Sequence, residues 1–115
     1  MSSGELARLS VELKEAAADV KARVSRVVRA SAHNIEAGAK SRAPVDTGNL
    51  RNSYLTRARA GEPYAEVINT ANYAPHVEYG TSRGTPAQPS LGPATDHEAH
   101  AFYEAVQQAA GEGLS

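Results

Sequence analysis

A long amphipathic stripe that stops at a proline constrains the fold more than any other feature of this sequence. Between about Glu5 and Ala39, apolar residues recur at alternating steps of three and four, the spacing of one face of an α-helix. Pro44 lacks an amide hydrogen and its ring clashes with the preceding turn, so the helix must end before it. The stripe consists of Leu6, Leu9, Leu13, Ala16, Val20, Val24, Val27, Ser31 and Ile35.

The predicted helix is too long for a compact domain of this size. A helix of about 35 residues spans roughly 50 Å, more than the diameter of a globular domain of 115 residues. Hydrophobic residues make up 41% of the chain, but aromatic residues only 5%, so the core is expected to be thin. We therefore expect other subunits to cover part of the stripe, or the helix to bend, with Gly38 as a position for a kink or fraying.

Residues 43–53, A-P-V-D-T-G-N-L-R-N-S, are predicted to form a hinge after the helix. Asp46 and Thr47 have short side chains that bond neighbouring amides, and Gly48 admits positive φ. The segment therefore reads as a tight turn in which the chain changes direction. The predicted hinge residues are Pro44, Asp46, Thr47, Gly48 and Arg51.

Short elements are expected after the hinge. Alternating residues over 50–60 and 64–69, separated by Gly61-Glu62-Pro63, predict a β-hairpin. Pro75 and Gly80 frame a short helix whose Tyr73, Val77 and Tyr79 should face inward. The Pro- and Gly-rich stretch 82–93 predicts a loop, and Thr95 or Asp96 is expected to cap a final helix.

These elements predict a single α+β domain over residues 1–115. Its parts are a long helix over 1–42, a hinge with hairpin and short helix over 43–81, a loop over 82–93 and a C-terminal helix over 94–110.

Composition excludes several functional classes. The chain has no cysteine, which excludes disulfides and thiolate chemistry. No apolar run reaches the ~20 residues of a membrane span, and no secretory signal is visible, so we expect a soluble product in the cytoplasm of the producing cell and no membrane partner.

The net charge of −1 conceals a segregated distribution along the chain. Residues 1–20 hold two basic and four acidic residues, residues 21–60 nine basic and two acidic, and the remainder one basic and seven acidic. These could be solvated faces, or surfaces that attract neighbouring copies, or a basic region near nucleic acid. The candidate DNA-proximal residues are Lys21, Arg23, Arg26 and Arg29.

A metal site on the final helix is not expected. Two histidines three residues apart do not match the H-E-x-x-H pattern, and no further ligand group is evident. No nucleophile elbow or phosphate-binding or dinucleotide-binding loop occurs either, so we expect no enzyme and no cofactor. The polar residues concerned are Asp96, His97, Glu98, His100 and Glu104.

Three separated segments together resemble the HK97 gp10-like family of tailed bacteriophages. They are A-K-S-R-A-P-V-D-T-G-N-L-R-N-S at 39–53, Y-A-P-H-V-E-Y-G-T at 73–81 and P-S-L-G-P-A at 89–94. Their order and spacing match the family across most of the chain. The chain departs from it at Ser90 and Gly92, where an aromatic and a basic residue are common.

The resemblance implies a structural virion protein of the head-to-tail connection, variously called a neck, head-tail connector or tail-completion protein. It implies a homo-oligomeric ring around the DNA channel, with adjacent connector and tail-terminator or tail proteins as partners and passive contact with genomic DNA. The rival interpretation is a non-specific nucleic-acid-binding accessory protein that uses the basic stretch 21–59.

The resemblance also directs attention to two sets of residues. In the first motif, Arg51 is expected to reach a carboxylate, with Glu78 the best candidate. The second motif contributes Tyr73, Pro75, Glu78, Gly80 and Thr81. The candidate docking loop contributes Arg83, Pro86, Pro89, Leu91 and Pro93.

Overall fold

The α+β architecture predicted from the sequence is confirmed. The computed structural model describes residues 3–44, 48–82, 84 and 86–112, with side chains for 17–44, 49–82, 84 and 86–111. A long helix leads into a two-stranded antiparallel sheet, a short helix and a C-terminal helix. In chain order the elements are α1 (Ser3–Arg42), α2 (Gly48–Asn52), β1 (Tyr54–Ala58), β2 (Ala65–Asn69), α3 (Ala74–Tyr79) and α4 (Leu91–Glu112).

Helix α1 is continuous over 40 residues and gives the molecule its elongated shape, with extents of 71 × 23 × 23 Å. It ends at Arg42, two residues before Pro44, as the missing amide of proline requires. Gly38 lies inside the helix, so the fraying that we expected there is wrong. Instead, a β-carbon on Gly38 would lie 3.2 Å from the β-carbon of Ala94, which shows that α4 approaches α1 closely at this position.

Helix α4 runs antiparallel to the C-terminal half of α1. Asn34 Nδ2 donates a hydrogen bond to Glu98 Oε1 at 3.1 Å, and Arg23 Nε donates to the carbonyl oxygen of Ala109 at 3.0 Å. The close approach of Gly38 and Ala94 fits the same register. Moving one residue toward the C-terminus of α1 therefore corresponds to moving one residue toward the N-terminus of α4. The last residue of α4 therefore lies level with about Val20, and α1 continues beyond it.

The hairpin forms as predicted, but its first strand is shorter than expected. β1 pairs with β2 from Tyr54 opposite Asn69 to Ala58 opposite Ala65, and Gly61 takes φ 74° in the connection. The predicted strand over 50–60 is wrong at its start, because residues 48–52 form α2. A turn of helix there buries the Leu50 side chain, which is only 1% exposed and belongs to the core.

Helix α3 is framed as predicted, with Tyr73 at its N-terminal cap position, Pro75 in its first turn and Gly80 at its C-terminal cap with φ 82°. The Gly80 amide donates to the carbonyl oxygen of His76 at 2.9 Å. Tyr79 was expected to face inward, but its side chain is 83% exposed, because the core contacts of α3 come from Ala74 and Val77.

The boundary between the loop and α4 was predicted wrongly. Helix α4 begins at Leu91, so Leu91, Gly92 and Pro93 are helical, whereas we assigned them to a loop. Thr95 does not cap the helix: its hydroxyl donates to the carbonyl oxygen of Leu91 at 2.9 Å within the first turn. No helix in the described part of the chain is long and apolar enough to cross a membrane.

Candidate functional site

All three motifs meet in one small hydrophobic cluster, which we call the motif junction. Its buried members are Ala39, Ala43, Leu50, Tyr54 and Ala94, and the half-buried Tyr73, Ala74, Val77 and Leu91 pack against them. The first motif thus contributes the end of α1 and α2, the second contributes α3, and the third contributes the start of α4. The three motifs share no sequence pattern with one another. Together they nevertheless build the core at one end of the molecule.

Glu78 connects the second motif to the third by capping α4. Its Oε1 accepts hydrogen bonds from the backbone amides of Ser90 and Leu91, and its Oε2 accepts one from Gly92, all at 3.0 Å. The first amides of a helix have no partner within the helix and carry the positive end of its dipole. A carboxylate from another element satisfies them here, which explains why α4 starts earlier than its own side chains predicted.

The electrostatics of Glu78 follow from these contacts. Partial burial raises the pKa of its carboxyl, but the three backbone hydrogen bonds from Ser90, Leu91 and Gly92 outweigh burial and hold the pKa below its ordinary value. Gly92 also leaves room for the carboxylate, since a β-carbon there would lie 3.2 Å from Glu78 Oε2. The glycine that departs from the family pattern is therefore compatible with the cap.

Ser90, the other departure, lies inside the junction. Its side chain is 1% exposed, and its hydroxyl shares a buried hydrogen bond with the Tyr54 hydroxyl of β1. Because both hydroxyls are buried, each satisfies a polar group that water cannot reach. This pair fixes the entrance of α4 against the hairpin.

Amide side chains connect the remaining parts of the junction. Asn49 Nδ2 donates to the Tyr73 hydroxyl at 3.1 Å, which joins the first motif to the second. Asn69 Nδ2 donates to the Leu50 carbonyl oxygen at 2.8 Å, and Asn69 Oδ1 accepts from the Ala71 amide at 2.8 Å. Sequence reasoning used Asn69 only as the end of a strand, and nothing in its local pattern indicated this bridging contact.

At the hinge and its expected ion pair, the structure differs from what the sequence predicted. Pro44 is half-buried after α1, and Gly48 opens α2, whereas the turn residues Asp46 and Thr47 lie outside the described residues. Arg51 is exposed on α2, and the hydrogen bonds of Glu78 go to backbone amides. The expected Arg51–Glu78 pair is therefore not among the contacts of these two residues.

The predicted docking loop divides into two parts. Pro86 and Pro89 are exposed, and Arg83 lies outside the described residues. Leu91 packs on the motif junction and Pro93 is half-buried in the first turn of α4, so these two residues support the fold. The loop is also tied to α3, because the Gln88 amide donates to the Val77 carbonyl oxygen at 2.7 Å.

Of the four candidate DNA-proximal cations, two make contacts within the chain. Lys21 Nζ lies 3.2 Å from Glu62 Oε1 of the hairpin connection, and Arg23 binds Ala109 as described above. Arg26 is exposed and Arg29 is half-buried. The structure thus assigns part of this basic stretch to intramolecular contacts.

The polar residues of α4 lie on different sides of the helix. Glu98 accepts a hydrogen bond from Asn34 of α1, whereas His100 Nε2 lies 3.0 Å from Glu104 Oε1 at the exposed surface. Among the described residues, no three histidine, aspartate or glutamate side chains are arranged to hold a metal ion.

A comparison with known protein families assigns the chain that forms this junction to a family. One family model, described as "Bacteriophage HK97-gp10, putative tail-component", matches residues 7–80, more than half of the chain. The chain belongs to the HK97-gp10-like family. This confirms the family expected from the three motifs and makes the protein a phage tail component. No match was found among curated proteins or solved structures.

The HK97-gp10-like match covers most of α1, all of α2, the hairpin and α3, and it ends at Gly80. It therefore includes Glu78 but not the three amides that Glu78 binds. The part played by the third motif rests on the structure, where Ser90, Leu91 and Ala94 complete the core begun by the matched residues.

Proposed function

We propose that this HK97-gp10-like protein forms a ring in the head-to-tail connection of a tailed phage, around the channel through which DNA passes. Each copy would contact the next head to tail, and the ring would bind adjacent connector or tail proteins. The protein would act by assembly alone, without catalysis, a metal or a cofactor. During assembly it would be found in the host cytoplasm, and afterwards in the neck of the virion.

The observation that carries the proposal is the part of α1 that extends beyond α4. A closed ring requires two different, complementary surfaces on each copy. The molecule has two different ends: the motif junction at one, and at the other a stretch of about 17 residues of α1, roughly 25 Å long, with no α4 alongside. An isolated helix of this length is marginal in water unless its apolar face is packed. Contact between copies would supply that packing.

The rival function, a nucleic-acid-binding accessory protein, has less support from the side-chain contacts. Two of its four cations, Lys21 and Arg23, already bind groups within the chain. Exposed Arg26 is compatible with passive contact with DNA in the channel, which the ring proposal includes.

Sedimentation of the purified full-length protein over a wide concentration range, without DNA, tests the proposal. We expect a discrete assembly larger than a dimer, and annular particles with a central hole in negative-stain images. The rival predicts a small species that binds duplex DNA with an affinity that falls steeply as salt is raised. A species that stays monomeric at every concentration and binds DNA in this way would favour the rival.

A further inference from the structure

Helix α4 and strand β1 lie on opposite flanks of the folded molecule. Helix α4 follows the side of α1 that carries Arg23, Asn34 and Gly38. The hairpin rests on another side of α1, and a groove separates it from α4. Among the described residues, the hairpin's share of the groove lining is Ala65 and Val67 of β2, so β2 is the strand next to α4. Strand β1 therefore lies on the flank away from α4.

The flank away from α4 is basic. At 3.6 residues per turn, Arg29 and Lys40 lie on the side of α1 roughly opposite to the side that meets α4. Arg57 on β1 and Arg59 directly after it are exposed on the same flank. The acidic residue on this side of α1 is Glu36, which is half-buried. We call Arg29, Lys40, Arg57 and Arg59 the basic flank.

The outer side of α4, on the opposite flank, is acidic. Helix α4 contains four acidic residues and no lysine or arginine. Two of the four, Asp96 and Glu104, are exposed on the side that faces away from α1. Tyr103 lies beside them, with 66% of its side chain exposed. We call Asp96, Tyr103 and Glu104 the acidic flank.

The opposite charges of the two flanks do not neutralise each other within the chain. Arg29, Lys40 and Asp96 form no ion pair with a described side chain. Arg57 lies 3.8 Å from Glu66 of its own hairpin, and Glu104 pairs with His100 of its own helix. Because α1 and the hairpin separate the two flanks, the cations of one cannot reach the carboxylates of the other in the same copy.

We propose that the basic flank of one copy packs against the acidic flank of the next copy, an inference that rests on the proposed ring. The two surfaces are complementary in charge and lie on opposite sides of the molecule, so one copy uses both at once and the contact repeats around a ring. Contacts between two basic or two acidic flanks bring like charges together. Tyr103 also offers an aromatic face to an incoming arginine, the contact that Arg59 makes with Tyr64 at 4.1 Å within the chain.

Charge reversal tests this contact in the full-length protein. One variant combines Arg29→Glu with Lys40→Glu, so that both of its flanks are acidic. The other combines Asp96→Lys with Glu104→Lys, so that both of its flanks are basic. In sedimentation at low salt, each variant alone should need about ten times the wild-type concentration to assemble, because its flanks repel. Mixed in equal amounts, the two variants should assemble together close to the wild-type concentration.

A matched control separates this contact from a general effect of net charge. The combination of Arg42→Glu with Arg51→Glu changes the net charge as much as the first variant does, at two exposed cations outside the basic flank. This control should assemble like the wild type. Circular dichroism confirms that each variant is folded, and assembly of the mixture shows independently that both reversed variants keep their structure.

The outcomes distinguish this contact from the proposed function. If both reversed variants form wild-type rings, the contact between flanks is wrong and the ring stands. The contact is also wrong if both folded variants fail alone and fail when mixed, since complementary charge then restores nothing. If the variant with the reversed basic flank assembles normally but loses the binding to a duplex oligonucleotide that the wild type shows, the basic flank binds DNA and the proposal is overturned. If the wild type stays monomeric at every concentration, the ring is wrong as well.

Discussion

At the scale of single residues, Glu78 is the side chain that joins two motifs far apart in the sequence. Its two oxygens accept from three successive amides at the start of α4, and Gly92 leaves the space for this approach. Helix caps of this kind are normally made by a residue just before the helix. Here the cap comes from α3, so it fixes the position of one helix relative to another as well as the start of α4.

Replacing Glu78 with glutamine should lower the free energy of unfolding by about 1–2 kcal/mol. The amide nitrogen of glutamine cannot accept a hydrogen bond, and the favourable charge at the helix terminus is lost. Urea denaturation followed by circular dichroism measures the effect. The matched control is Glu104→Gln on the exposed face of α4, where we expect little change. Equal stability of the two variants would contradict the capping role.

The Glu78 cap should also make stability depend on pH in a predictable direction. Its pKa is lower in the folded protein than the ordinary value of 4.5, so the carboxylate stabilises the fold above that pH. This contribution is lost as the pH falls through the folded pKa. The difference in the free energy of unfolding between wild type and Glu78→Gln should therefore be largest near neutral pH and shrink in acid. A difference that stays constant down to pH ~3 would contradict this assignment.

The buried pair of Tyr54 and Ser90 should show coupling in a double-mutant cycle. Tyr54→Phe or Ser90→Ala alone leaves one buried hydroxyl without its partner, at a cost of about 1–3 kcal/mol. The double variant removes both hydroxyls and should cost less than the sum of the single variants, by roughly 1 kcal/mol. Additive losses in urea denaturation would show that the two hydroxyls do not act as a pair.

At the scale of elements, local patterns in the sequence predicted the helices and strands whose bounds depend on neighbouring residues. Spacing and Pro44 predicted the extent of α1, turn residues predicted the hairpin, and Pro75 with Gly80 predicted α3. The start of α4 was missed because its cap comes from Glu78, 12 residues or more away. Helix α2 was missed because burial of Leu50 in a core built from distant segments decided its conformation.

The junction itself could be anticipated only through the family resemblance. No spacing rule connects Asn49 with Tyr73, or Tyr54 with Ser90, because the partners lie on different elements. The prediction that Arg51 pairs with Glu78 identified the right carboxylate but the wrong partner for it. Charge pairing was the only signal visible in the sequence, whereas the backbone amides that bind Glu78 become available only once α4 has formed.

Gly38 should be needed for the close packing of α1 on α4. A leucine there would push against Ala94, at a steric cost of about 1–3 kcal/mol, partly offset by its better helix propensity. Ala37→Leu, on the exposed side of the same turn, gains a similar side chain without this clash. Thermal unfolding should place Gly38→Leu below both the wild type and Ala37→Leu. A Gly38→Leu protein as stable as the control would mean that the helices can separate without cost.

At the scale of the whole molecule, the elongated shape is compatible with the proposed assembly of several copies. Its radius of gyration is 19.9 Å, whereas a compact domain of this length has about 13 Å. The excess comes from the first part of α1, about residues 3–19, which extends beyond the end of α4.

Electron cryomicroscopy of the virion at side-chain resolution tests the ring in the head-to-tail connection most directly. We expect copies of this protein in a closed ring at the neck, coaxial with the DNA channel, with the long helix of each copy against its neighbour. A ring at another place, such as the tail tip, would contradict the connector assignment. Copies that occupy the neck without contacting one another would contradict the ring.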